Sequence, residues 1–125
     1  MNKVFNQRRL RNLKIKREQS ICERVGVEPN KPETGTKLGI ALSTIGKQPI
    51  NGLRHREENG TNGWYIWCGG EIPKEDDFFS PLHVEHITEY LPEVLDYLDL
   101  PSGYRFQIDG KDYEDVWYEQ ELLNA

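Results

Sequence analysis

The most constraining stretch of this chain is five residues long. Residues 64–68 read WYIWC. Aromatic and β-branched side chains fit a pleated surface, so this segment is expected to be a strand. Alternation sends Trp64, Ile66 and Cys68 to one face and Tyr65 and Trp67 to the other. Both faces are apolar or aromatic. The strand is therefore expected at the centre of a sheet, or with a functional aromatic on its outer face. The preceding ENGTNG, residues 58–63, is the strongest turn signal in the chain. It links the strand to residues 50–57, INGLRHRE, where Leu53 is the one strong apolar residue after Ile50. That partner strand is expected to be half exposed.

The other elements follow from periodicity. Residues 4–25 read as a helix with a thin apolar set, Val4, Leu10, Leu13, Ile21 and Val25. Residues 26–36, GVEPNKPETGT, read as a linker. Residues 37–47 fit a short helix (Leu38, Ala41, Leu42, Ile45) about as well as a strand (Leu38, Ile40, Leu42). Residues 69–80 read as an acidic loop. Residues 81–99 read as the clearest helix, with Ile87, Tyr90, Leu91, Val94, Leu95 and Leu98 as its stripe and Ser80 as its N-cap. Pro92 should kink that helix or restart it at a first helical position. Residues 104–118 read as a hairpin turning at Asp109-Gly110. The expected class is α+β: an antiparallel sheet of about four or five strands with helices on one face, plus a basic N-terminal helix. Residues 1–30 form the expected helix and linker, and residues 31–125 the folded domain.

With 125 residues, there is enough chain for one domain with an ordinary core. No stretch approaches the roughly 18 apolar residues of a membrane span. The N-terminus lacks the apolar segment of a secretory signal, and the two cysteines, Cys22 and Cys68, form neither a metal pattern nor a disulfide framework. Free thiols in a cytoplasm are the expectation.

Charge is unevenly placed. Residues 1–24 carry eight Lys/Arg and two acids, a net of +6, on a chain whose total is -5. From Glu75 onward, fourteen acids face only Arg105 and Lys111. The basic arm could fold back onto the body, or bind nucleic acid or an acidic partner. The acidic body could equally be a face for a basic partner, or simply a solvated surface. An acidic body repels phosphate, so nucleic acid is expected, if anywhere, on residues 3–24.

No constellation of catalytic residues stands out. His83 and His86 stand three apart, but zinc needs a third protein ligand and none is tied to them, so no metal or cofactor is expected. The H-x-E of His83 and Glu85 lacks the P-C-x-x-C of zinc deaminases. Cys68 has no evident base, and no phosphate loop occurs. The chain is therefore expected not to be an enzyme. The informative feature is instead a stripe of Glu85, Glu89 and Glu93 on the expected helix, with Asp96 one turn on. Like charges at that spacing cost a helix roughly 0.2–0.5 kcal/mol per pair. With Glu71, Glu75, Asp76 and Asp77, and with Phe78, Phe79, Tyr97 and Trp117 interleaved, these residues have the composition of a binding face for a cationic protein. Acid would steer the partner and aromatics would anchor it.

The stretch GLRHREENGTNGWYIWCGGE, residues 52–71, resembles the core motif of the Imm33 immunity-protein family. Arg56 and Glu57 stand for the family's R-E pair, Gly63 and Trp64 for its G-W, and Gly70 and Glu71 for its closing G-x-E. Tyr90, Pro92, Tyr97, Leu98, Pro101, Gly103 and Phe106 match a later segment of the family, "Y-x-P-x-x-x-x-Y-L-x-x-P-x-G-x-x-F". Asn62 and Thr61 depart from the family's Ser and Asp, and PLHVEH is not typical of it. The resemblance covers about residues 37–108 and tips residues 37–47 toward helix. It implies a small cytoplasmic bacterial protein that binds a toxin domain and blocks it, with no catalytic residues to carry over. Arg56, Glu57, Gly63, Trp64, Gly70, Pro92, Pro101 and Gly103 are expected to be structural. The alternative is a regulatory module that binds protein or nucleic acid through its basic N-terminal helix.

Overall fold

The computed structural model describes residues 19–70, 72 and 78–124. Most of the helix expected over residues 4–25 lies outside them. Its end is α-helical, as α1, Ile21–Val25. Ser20 caps α1 by accepting from the Glu23 amide, and the Glu23 carboxylate accepts from the Ser20 amide. Gly26, at φ 82°, closes the other end.

Six strands follow: β1 (Lys37–Ile40), β2 (Ile50–Arg54), β3 (Thr61–Cys68), β4 (Ser80–His83), β5 (Tyr104–Ile108) and β6 (Glu114–Tyr118). They form one mixed sheet in the order β4-β1-β3-β2-β5-β6. The expectation of a purely antiparallel sheet of four or five strands is corrected here, because β1 pairs with β3 in parallel and β4 adds an antiparallel edge. Pro81 lies in that edge strand, the position where a missing N–H is tolerated. Among the described residues, helical structure beyond α1 is confined to 3-10 turns at Leu42–Thr44, Val84–Glu89, Pro92–Tyr97 and Gln120–Asn124.

WYIWC does lie at the sheet's centre. Asn59 and Gly60 both have positive φ, 51° and 82°, as a two-residue turn between twisted strands requires. The turn sets the register Arg54↔Trp64 and Gly52↔Ile66 between β2 and β3. Trp64, Ile66 and Cys68 join one core, with Ile21, Ile87, Val94, Leu98 and Phe106. Tyr65 and Trp67 join a smaller cluster on the opposite face, with Ala41, Leu53, Leu122, Phe78 and Phe79.

Three further expectations are corrected. Residues 37–47 are a strand and then one 3-10 turn, because β1 finds partners on both edges. β2 is buried along its whole length rather than half exposed, since it lies between β3 and β5. Its polar positions are satisfied there: the Asn51 amide donates to the Gly69 carbonyl at 3.0 Å and accepts from Gln107 at 2.8 Å. Gly52 leaves room for the Phe106 ring, which would lie 2.2 Å from an added Cβ. Residues 81–99 are not one helix. Ser80 belongs to β4, and two 3-10 segments meet at Leu91, which leaves helical geometry at φ -141° and ψ 71° before Pro92. Pro92 does start the second segment. Val94, Tyr97 and Leu100 are buried at a spacing of three, the 3-10 period, which leaves Leu95 and Tyr90 exposed.

One side chain ties these parts together. Arg54 is completely buried. Its Nε donates to the Asn62 carbonyl at 2.9 Å, and its Nη1 donates to the carbonyls of Asn30, Leu98 and Leu100 at 2.7, 3.2 and 2.8 Å. Its Nη2 donates to the Glu57 carboxylate at 3.0 Å. Replacing it strands several buried acceptors, each costing about 1–3 kcal/mol. Arg54→Met is expected to lose about 3–5 kcal/mol in urea denaturation. Arg56→Met, which removes one exposed bond to the Leu123 carbonyl, is expected to lose about 1 kcal/mol or less.

Candidate functional site

The residues singled out as motif or binding positions separate into structural and surface groups. Trp64 is buried, and its indole Nε1 donates to the Leu98 carbonyl at 2.9 Å. Gly63 has φ 90°, and an added Cβ would lie 2.1 Å from the His55 carbonyl oxygen. The Gly70 carbonyl accepts from the Trp67 indole at 2.8 Å. The Pro101 carbonyl accepts from Tyr104, and the Gly103 amide donates to the Arg54 carbonyl. Arg56 is exposed, and the partner of Glu57 is Arg54, three residues before it rather than one.

Tyr97 and Trp117 were expected on the surface but are buried. The Tyr97 hydroxyl donates to the Glu114 carboxylate. Glu114, buried in β6, also accepts two hydrogen bonds from Arg24 Nη2, at 2.9 and 3.0 Å. The group locks α1 to the sheet. Phe78 and Phe79 are half-buried against Tyr65 and Trp67, on the sheet face opposite the 3-10 segments Val84–Glu89 and Pro92–Tyr97. They do not join the Glu85, Glu89 and Glu93 stripe. Glu71, Glu75, Asp76 and Asp77 lie outside the described residues.

Glu85, Glu89, Glu93 and Asp96 remain exposed, spread over the two 3-10 segments. Glu85 accepts from the Gly35 amide at 3.0 Å, which holds its carboxyl below the ordinary value. Glu89 accepts from His86 at 2.9 Å. Among the described residues, Glu93 and Asp96 make no salt bridge. Two apolar side chains emerge among these acids, Tyr90 at 41% and Leu95 at 47% exposed. Beside them lies a groove of about 910 Å³ lined by Glu85, Leu95, Asp96, Asp99, Asp112 and Lys31, with Gln19, Ser20 and Ile21 at one side. The groove was not legible in the sequence. Lys31, Asp99 and Asp112 come from separate loops, and only the fold brings them together.

His83 lies in β4 and His86 in the following turn, with ring centroids 6.3 Å apart. Among the described residues no His, Cys, Asp and Glu side chains assemble into a metal-ligand set. Burial pushes the Cys22 and Cys68 thiols above their ordinary value. Among the described residues no helix is long and apolar enough to cross a membrane.

The chain carries an Imm33-like domain. The chain belongs to that immunity-protein family, whose model matches residues 17–119. The match is wider than the motifs at 37–108 imply and takes in both α1 and β6. No curated protein and no solved structure matches the chain.

Burial first, and then the Glu114 charge, push the Tyr97 hydroxyl far above its ordinary value near 10. A raised folded-state value means that this group's contribution is whole below about pH 10 and is lost as pH rises further. Tyr97→Phe is expected to cost about 1.5–3 kcal/mol at neutral pH. It should also flatten the fall in stability above about pH 10, followed by urea denaturation across alkaline pH. The same alkaline slope in both proteins would contradict the assignment.

Proposed function

We propose that this chain is a non-catalytic immunity protein that binds a cationic toxin domain and neutralises it. The observation that carries the reading is the exposed ridge of Glu85, Glu89, Glu93 and Asp96, with Tyr90 and Leu95 emerging among the acids beside an acid-lined groove. An apolar anchor ringed by like charges is the composition of a recognition surface, and it selects a basic partner. Family membership supports the same reading. Neutralisation follows from occlusion: a toxin whose basic surface is covered cannot reach its own target. Glu71, Glu75, Asp76 and Asp77 stay with this reading by composition alone. Phe78, Phe79 and Trp117 drop out of it, because they pack inside the fold or on the other side of the sheet, whereas the buried Tyr97 still lines the groove.

The test is capture of the partner from native lysate, followed by binding kinetics with the purified pair. Glu89→Lys/Glu93→Lys is expected to slow association about tenfold at low salt and much less at high salt. Unchanged association at low salt would overturn the acidic ridge as the binding face.

A further inference from the structure

We propose that residues 1–18 of this chain dock in the acid-lined groove of the same molecule and must be displaced by a basic partner. The chain reaches the groove at its own N-terminal side, since Gln19, Ser20 and Ile21 are among the lining residues. Immediately before them, residues 1–18 carry seven Lys/Arg and one acid, a net of +6. Among the described residues, the groove is lined by the acids Glu85, Asp96 and Asp99, with Asp112 at its margin, and by one cation, Lys31. Charge is therefore complementary across the one covalent joint that brings the two together.

The apolar pattern matches as well. Val4, Phe5, Leu10, Leu13 and Ile15 are spaced among the cations of the segment. The groove offers Val84, Leu98 and the exposed Leu95. Neither charge nor apolar contact alone holds a peptide well in water, since exposed ion pairs are weak and screened by salt. Tethering changes this. A short covalent connection supplies an effective concentration of order mM, enough to occupy a weak site.

A groove filled from within binds an outside partner less well, by the fraction of molecules in which it is open. The segment then acts as a threshold. Weakly basic proteins fail to displace it, and a partner with a stronger cationic surface succeeds. This displacement step rests on the reading of the groove and ridge as the partner site. Docking of residues 1–18 does not.

The test is limited trypsin cleavage of the full chain at Arg8, Arg9 and Arg11, with a free peptide of residues 1–18 as reference. Cleavage should follow the undocked population when opening is fast. At about 0.05 M salt the segment is expected to be cut several-fold more slowly than the free peptide, and at about 0.5 M salt the difference should shrink. Asp96→Asn/Asp99→Asn, with folding checked by tryptophan fluorescence, is expected to speed cleavage about threefold or more at low salt. Protection should not change with protein concentration. Cleavage as fast as the free peptide at low salt would overturn docking. Protection that grows with concentration would also overturn it, in favour of the segment of a second copy. Protection that appears only when duplex DNA is added would overturn it in favour of nucleic-acid binding. Loss of protection in the Asn variant with unchanged partner binding removes only the displacement step. Intact protection with a partner indifferent to ridge charge removes only the proposed binding face.

Discussion

The Arg54 guanidinium is the constraint on which the rest of this structure depends. It has no exposed surface, and its hydrogen-bond partners come from four separate parts of the chain. A buried cation is tolerated only when its donors are satisfied, and the carbonyls of Asn30, Asn62, Leu98 and Leu100 do so. Burial lowers its proton affinity, and Glu57 and Asp99 pull it back. Five donors in a fixed planar fork are needed to reach these acceptors, which a lysine cannot supply. Where the backbone offers no regular ladder, around residues 30 and 98–100, this one side chain replaces it. Trp64 shares the duty, since its indole donates to the same Leu98 carbonyl and its ring lies 5.6 Å beneath the guanidinium.

The second buried charge group explains how the N-terminal side is attached. Arg24 of α1 reaches Glu114 in β6 across ninety positions of sequence, and Tyr97 closes the group. This places Ser20 and Ile21 at the side of the acidic groove. The interior thus consumes Arg24, Arg54 and Glu114, while Glu89, Glu93 and Asp96 remain at the surface.

What was legible in the sequence was local. The Asn59-Gly60 turn, the central WYIWC strand, the Pro92 restart and the β5–β6 hairpin each rest on neighbouring residues. What was not legible was non-local. The parallel pairing of β1 with β3 spans the β2–β3 hairpin, and nothing in KLGI announces it. SPLH became an edge strand because β1 had a free edge, and a helical stripe became two 3-10 segments in which only part of the apolar set turns inward. Arg54 carries one local signal, a charge at an inward position of the Ile50, Gly52, Arg54 alternation, but the same alternation continues through the exposed Arg56 and so does not single it out. For the binding face, the acids at 85–96 were legible as exposed charges. The separation of Phe78 and Phe79 from them was set by the sheet, which no spacing rule reports.

The proposed recognition face is the acidic stretch and groove of residues 84–99, not the aromatic side of the sheet. Amide hydrogen exchange of the full chain, alone and with its captured partner, tests this most directly. The account predicts added protection concentrated in residues 84–99 and 31–36, with Tyr65, Trp67 and Phe79 unchanged. Protection confined to the Tyr65–Phe79 side, with residues 84–99 unaffected, would contradict it.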